Sequence, residues 1–301
     1  MKTQFKAFFL FCNYFKLDPI PATLDTVCLY VQFLSRTLTP ASIRNYLSGV
    51  KLLHLFTGAD YPFTKDFILS LTLRGIARNA LHTPRRAPPV TPSILLRISH
   101  VLDCEGDPRS STLFCAFLFT FYLMARLANI VPQSAKSFDP RRHLTRGDVA
   151  VTSHGLLVTF KCTKTIQFGE RLLHIPLLRI HDSPLCPVSA YLRMIRLVPA
   201  RRSCPVFLIL GPKGLVPLTK RSFVFAFRSY LVAAGIPNAQ SFRGHSFRRG
   251  AASWAFRCGV PGEIIQLYGD WSSDAYKLYL EFSLESKLAL ANQLRQAIIH
   301  V

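Results

Sequence analysis

Acidic residues are scarce in this chain. Against 37 Lys and Arg there are only 16 Asp and Glu, giving a formal charge of +21 and a pI near 10.1. On a compact surface such an excess repels itself unless a polyanion neutralises part of it. Nucleic acid is the first reading, an anionic membrane surface the second, a basic soluble protein the third. Missing too is an apolar run fit to span a bilayer. The longest, Leu113 to Ala125, falls short of the roughly 20 residues required and is closed by Arg126, so it reads as a buried core helix. Eight cysteines (12, 28, 104, 115, 162, 186, 204 and 258) include no Cys-x-x-Cys pair. Neither a disulfide framework nor a zinc site is signalled, and a reducing compartment, cytosol or nucleus, fits. The brief apolar stretch Ala7 to Cys12 lacks a small-residue cleavage site, so no signal peptide is read. Fixed-period repeats, low-complexity tracts and aromatic-rich RNA motifs are absent as well.

What is present is a chain of 301 residues, half of them hydrophobic, which favours two domains with sizeable cores. Residues 1–82 read as a four-helix unit. Leu24, Val27, Cys28, Val31 and Leu34 recur at helical spacing, and Thr39-Pro40 is a cap followed by proline that opens Ala41 to Phe56. Gly58 to Pro62 is a turn, and Phe67, Ile68, Leu71 and Leu73 mark a fourth helix. Residues 83–91, rich in proline and arginine, read as a linker, because proline removes donors and favours extended backbone.

The second domain, 92–301, opens with helices up to Arg126. A meander follows, with strands over Val149 to Thr152, Gly155 to Phe160 and Arg171 to Leu177. Helices return over Val188 to Val198, Ser222 to Ala234, Ser246 to Cys258, Pro261 to Tyr268 and Asp274 to Phe282. Met1 opens almost inside the first helix, so an N-terminal segment found in relatives is expected to be absent or encoded elsewhere.

The chemistry concentrates in His245-Ser-Phe-Arg248-Arg249-Gly250. A histidine and an arginine three apart share one helical face and suit a phosphate clamp. Read with Met124-Ala-Arg126-Leu-Ala-Asn-Ile-Val-Pro132, with Lys164 in Thr-Lys-Thr, and with Gly269-Asp-Trp271 followed by Tyr279, the chain resembles the tyrosine recombinase/integrase family. Eukaryotic mobile-element versions, in Cryptons and DIRS-type retroelements, are the most similar branch. The motifs stand in the family's order over nearly the whole chain.

The resemblance implies a mainly α fold. It would pair an N-terminal four-helix (SAM-like) core-binding domain with a mixed α/β, mostly helical catalytic domain carrying a small antiparallel sheet. It also implies a set of catalytic roles. Arg126 and Arg248 hold the scissile phosphate; His245 and Trp271 assist; Lys164 protonates the leaving 5′ oxygen; Tyr279 is the nucleophile. Lys161 remains an alternative to Lys164, and Tyr276, one helical turn earlier, to Tyr279. The ordinary alternatives are a helix-end cation complementing the dipole for Arg126, an exposed hairpin lysine for Lys164, and an amphipathic core residue for Trp271. Two departures stand out. Tyr279 follows Trp271 by eight residues, one fewer than in many bacterial and phage relatives, and Asn129 replaces their usual acid.

The activity so implied is site-specific DNA strand cleavage and rejoining through a 3′-phosphotyrosyl link, with no cofactor. The implied partners are double-stranded DNA and further copies of the chain, as a tetramer at synapsis. The assembling element would be a C-terminal helix bearing Leu284, Leu288, Ala291, Leu294 and Ile298 in one stripe; docking of that stripe on its own domain is the alternative. No membrane is implied, and residence would be nuclear. Arg44, Lys51, Arg85, Arg86, Arg141, Arg142 and Arg249 are candidate DNA contacts, each equally readable as solvated charge. Competing functions are a domesticated or inactive DNA-binding derivative, a type IB topoisomerase and an RNA-binding helical protein.

Overall fold

The computed structural model describes residues 2–79, 86–102, 104–212 and 214–280, with 287, 288, 291, 292, 295, 296 and 298 of the C-terminal segment. Two compact units divide between Arg85 and Arg86. The first contains α1 (Lys2–Phe15), α2 (Leu24–Ser35), α3 (Pro40–Thr57) and α4 (Phe67–Asn79). Thr39 accepts from the Ser42 amide with Pro40 in the first turn, and Gly58, at φ 71°, closes α3 in the left-handed conformation that glycine adopts without strain. Phe8, Phe11 and Tyr30 meet edge-on or tilted at centroid distances of 5.0 Å for each pair with Tyr30. His54 is fully buried. Its Nδ1 lies 2.9 Å from the Val50 carbonyl, and its Nε2 accepts the Ala22 amide at 2.9 Å, so both ring nitrogens are satisfied.

The second unit begins inside the segment read as linker. Val90 is fully buried, and its amide donates to the Ser246 carbonyl at 2.9 Å. Its elements run α5 (Pro92–Ser99), α6 (Pro108–Tyr122), α7 (Leu127–Ile130), β1 (Val149–Thr152), β2 (Gly155–Phe160), β3 (Leu173–Leu178) and α8 (Pro187–Leu197). Then follow β4 (Leu208–Gly211), β5 (Gly214–Pro217), α9 (Lys220–Ala233), α10 (Gly244–Arg257), α11 (Gly262–Tyr268) and a 3₁₀ turn, Asp274–Tyr279. Asp107 caps α6 by accepting the Arg109 and Ser110 amides at 3.0 and 2.9 Å.

Every residue of α6 from Ser110 to Phe121 is buried, as befits a helix apolar on all sides. Phe117 meets Phe223, Phe227 and Phe247, drawing α9 and α10 onto it, and Phe119 stacks on Tyr191 of α8 at 5.5 Å. The sheet is antiparallel in the order β1-β2-β3, pairing Val149 with Val158 and Val158 with Ile175. The fold is thus mainly helical with a small antiparallel sheet. The β4–β5 hairpin was not predicted: its strands are four residues each, and the glycines and Pro217 weaken any strand signal. Among the described residues no helix is long and apolar enough to cross a membrane.

Candidate active site

Arg126 does not end the long helix. α6 stops at Tyr122, the chain turns through Met124 at φ 46°, and Arg126 caps the start of α7. A cation at a helix start gains nothing from the dipole, so the ordinary explanation of Arg126 as a helix-end cation lapses. Leu127 and Ile130 bury the far side of α7, leaving Arg126 half-buried at the rim of a cleft. Asn129, on the same turn, donates to the Cys162 carbonyl at 2.8 Å and ties this element to the chain leaving β2.

α10 is anchored from behind. Phe247 is fully buried, 4.5 Å from Phe227 and 5.3 Å from Phe223 between ring centroids. Burying one such ring stabilises by about 1.5–3 kcal/mol. Gly250 lets the backbone of Val90 approach, since a Cβ there would lie 1.7 Å from the Val90 carbonyl oxygen. The opposite face presents His245 and Arg248. Arg248 is 3% exposed; it donates to the Met124 carbonyl and, at 2.6 Å, to the Gly269 carbonyl. Two of its five N–H groups thus fix the guanidinium to the Arg126 loop and to the Gly-Asp-Trp loop.

Trp271 completes the mount. The Arg248 guanidinium carbon lies 3.7 Å from the Trp271 ring centroid, in cation–π contact. Space for that ring depends on Gly269, where a Cβ would fall 1.7 Å from the indole. The Tyr279 ring centroid is 6.0 Å from that of Trp271, and the half-buried Tyr279 is held by a hydrogen bond from the Ser253 hydroxyl to its carbonyl. Tyr276 also faces Trp271, at 6.3 Å, but is only 2% exposed and packs beside Gly262.

Electrostatics report the same convergence. Burial, then the charge of Arg126, pushes Arg248 down to about 9, with Tyr279 and Asp270 acting the other way; it remains charged at neutral pH. His245 reaches solvent, yet surrounding protein and then Arg248, Lys220 and Arg126 hold its pKa below the ordinary value, so the imidazole is neutral at pH 7.

The two candidate lysines separate clearly. Lys161 forms an ion pair with Asp148 at 3.0 Å. Lys164 is exposed, in the connection between β2 and β3, and among the described residues its ammonium has no hydrogen bond or ion pair. Its neighbour Thr163 lines the cleft together with Arg126, Asn129, Arg248, Gly269 and Asp270.

Of the candidate DNA contacts, Arg44, Arg86, Arg141 and Arg142 are exposed and Lys51 is half-buried. Arg85 lies outside the described residues. Arg249 is half-buried and donates to the Ala87 carbonyl at 2.8 Å, a bond that ties α10 to the start of the second unit. Two residues escaped the sequence reading. Lys220, at the start of α9, adds its charge beside His245, and Asp270 accepts from Thr163, Thr165 and Arg171.

No family model and no curated protein matches the sequence. Solved structures do match. The XerH site-specific recombinase in a post-cleavage complex with palindromic difH substrate is 15% identical, with 93% of this chain and 73% of that one covered at a TM-score of 0.59. The Tn1549 transposon integrase in complex with transposon right end DNA is 17% identical, with 91% and 86% covered at 0.55. A lambda integrase dimer bound to a COC′ core site is 16% identical, with 87% and 80% covered at 0.54. The chain therefore has the tyrosine recombinase fold.

Proposed function

We propose that this chain is a site-specific DNA recombinase of a mobile element, cutting and rejoining strands through Tyr279. The observation that carries the reading is the mounting of Arg248 between the Met124 and Gly269 carbonyls, over Trp271, with Arg126, His245 and Tyr279 around it. The similar solved proteins are DNA complexes, and the charge of +21 suits the same partner.

The chemistry follows from charge. The Tyr279 oxygen attacks a backbone phosphorus while the bond from phosphorus to the 5′ oxygen breaks. Arg126 and Arg248 neutralise charge gathering on the non-bridging oxygens, the largest contribution such preorganised cations make. An unperturbed phenol titrates near 10 and needs a base; His245, neutral at pH 7, takes its proton. Trp271 holds the Arg248 plane. Lys164 gives a proton to the departing 5′ oxygen. Bond energy is kept in the phosphotyrosyl ester, so the religation step needs no nucleotide cofactor.

For assembly through the C-terminal stripe, an exposed apolar groove supports the reading. An apolar groove of about 260 Å³ in the second unit is lined by Phe121, Tyr122, Trp254, Ala255, Ile264 and Tyr268. Leu288 and Ile298 of the stripe are 57% and 74% exposed, while Leu284 and Leu294 lie outside the described residues. The occupant we assign is the stripe of a neighbouring copy. The Crypton or DIRS-type affiliation and nuclear residence belong to the same proposal, on the sequence resemblance.

The test is incubation with nicked duplexes taken from the sequences flanking the gene. A covalent, protease-sensitive adduct is expected with the wild-type chain and none with Tyr279→Phe, while binding persists. DNA binding with no adduct from the wild-type chain would establish the competing reading, a domesticated or inactive derivative.

A further inference from the structure

We propose that Asp270 is a positioning residue that sets Lys164 for proton delivery to the leaving 5′ oxygen, an inference resting on the recombinase reading above. The Asp270 carboxylate is buried, with its side chain 6% exposed, and the residue sits at φ 55°, in the left-handed region. It takes hydroxyl donors from both residues flanking Lys164: Thr163 at 2.5 Å, and Thr165. Arg171 supplies a third donor at 2.5 Å.

The turn is closed on itself as well. The Thr163 oxygen accepts the Thr165 and Ile166 amides at 3.1 Å each, and the Thr163 amide donates to the Ile166 carbonyl at 2.9 Å. Lys164 is thus presented by a four-residue loop whose two hydroxyls converge on one carboxylate. Among the described residues its ammonium has no hydrogen bond or ion pair, so the loop is what we assign as holding Lys164 in place. Burial by itself would raise the Asp270 carboxyl, but the bonds from Thr163, Thr165 and Arg171 outweigh it and hold it below the ordinary value, charged at neutral pH.

Asp270 also joins the two halves of the site. Its chain neighbours are Gly269, whose carbonyl receives Arg248, and Trp271, whose ring lies against Arg248. One three-residue segment therefore fixes the phosphate-binding arginine on one side and the acid-bearing turn on the other.

A purely structural role and a positioning role separate through the leaving group. In the natural reaction the electron pair of the breaking bond goes to the 5′ oxygen, which takes a proton from the Lys164 ammonium. With sulfur in place of that bridging oxygen the departing thiolate holds the pair unprotonated, since a thiol titrates near 8.5, far below an alcohol. Loss of the acid then costs little.

The experiment compares single-turnover cleavage of the oxygen- and sulfur-bridged forms of one nicked duplex by wild type, Lys164→Ala, Asp270→Asn and Thr165→Val. Asp270→Asn and Thr165→Val should slow the oxygen form by about 10–100-fold and cleave the sulfur form within about 3-fold of wild type, as Lys164→Ala does. Should Asp270→Asn not fold, Thr165→Val still decides, since it removes one hydroxyl from a partly exposed side chain. Equal slowing of both forms, or of neither, overturns the role of Asp270 and leaves the recombinase reading intact. No cleavage of either form by wild type overturns the recombinase reading and this proposal with it.

Discussion

A single methyl group placed behind Trp271 should dismantle the phosphate clamp without touching a reacting atom. In Gly269→Ala the new Cβ would stand 1.7, 2.3 and 2.5 Å from three carbons of the indole, whereas ordinary contact begins at 3.4 Å. The ring must therefore retreat by well over an ångström, and Arg248, now 3.7 Å from its centroid, loses its platform. Overpacking costs about 1–3 kcal/mol and the cation–π contact about 1–2, for a sum of about 2–5 kcal/mol. In a unit of this size each kcal/mol lowers Tm by about 2–4 °C, so a fall of about 4–20 °C is expected. Cleavage should drop about 100-fold, the scale of an ångström's misplacement. The chain has two tryptophans, Trp254 and Trp271, so a Trp254→Phe background leaves Trp271 as the sole reporter. Trp271 is 8% exposed; its emission should shift to the red and become quenchable by acrylamide when Gly269→Ala is added. Unchanged emission together with cleavage within about 3-fold of the background would refute the mount.

Three further outcomes follow from the same geometry. Cleavage should hold from pH 8 through 6.5 and fall only below it, because the base acts as neutral imidazole and His245 titrates below its ordinary 6.5; His245→Gln should abolish that acidic limb. The same shift means that the unfolded chain binds the proton more readily, so stability falls as pH drops below 6.5, which melting curves at pH 5 and 7 would register. Lys161→Ala should leave cleavage within about 3-fold and cost under about 1 kcal/mol, as for other surface pairs, while Lys164→Ala should lose about 100-fold or more; the reverse ranking exchanges their roles. Deleting residues 284–301, or introducing Trp254→Glu into the groove, should each leave DNA-bound protein monomeric in sedimentation; multimers unaffected by both would place the stripe on its own domain.

Strong local signals were legible in the sequence. β1 and β2 run over the strand-like residues that the turn signals between them set off, and Thr39-Pro40 and Gly58 bound α3 because capping and left-handed backbone leave chemical traces. The pairing of His245 with Arg248 followed from helical spacing alone. What was not legible depends on contacts between distant segments. Arg126 looked like a helix end because nothing local marks the turn at Met124. The bond from Arg249 to the Ala87 carbonyl had no local sign, because its acceptor is a backbone atom 162 residues away. An acid in Gly-Asp-Trp reads as surface until Thr163 and Thr165, more than 100 residues earlier, are seen to share it. Lys220 acts only as a charge felt across space.

Identifying the residue that carries the DNA tests the central claim most directly. After cleavage of a nicked duplex, nuclease treatment and trypsin digestion, Tyr279 falls in the peptide 278–287, apart from Tyr268 and Tyr276 in 258–277. Mass spectrometry should find the nucleotide-phosphate mass on 278–287. Its appearance on 258–277, or the absence of any adduct across flanking sites that the protein binds, would contradict the account.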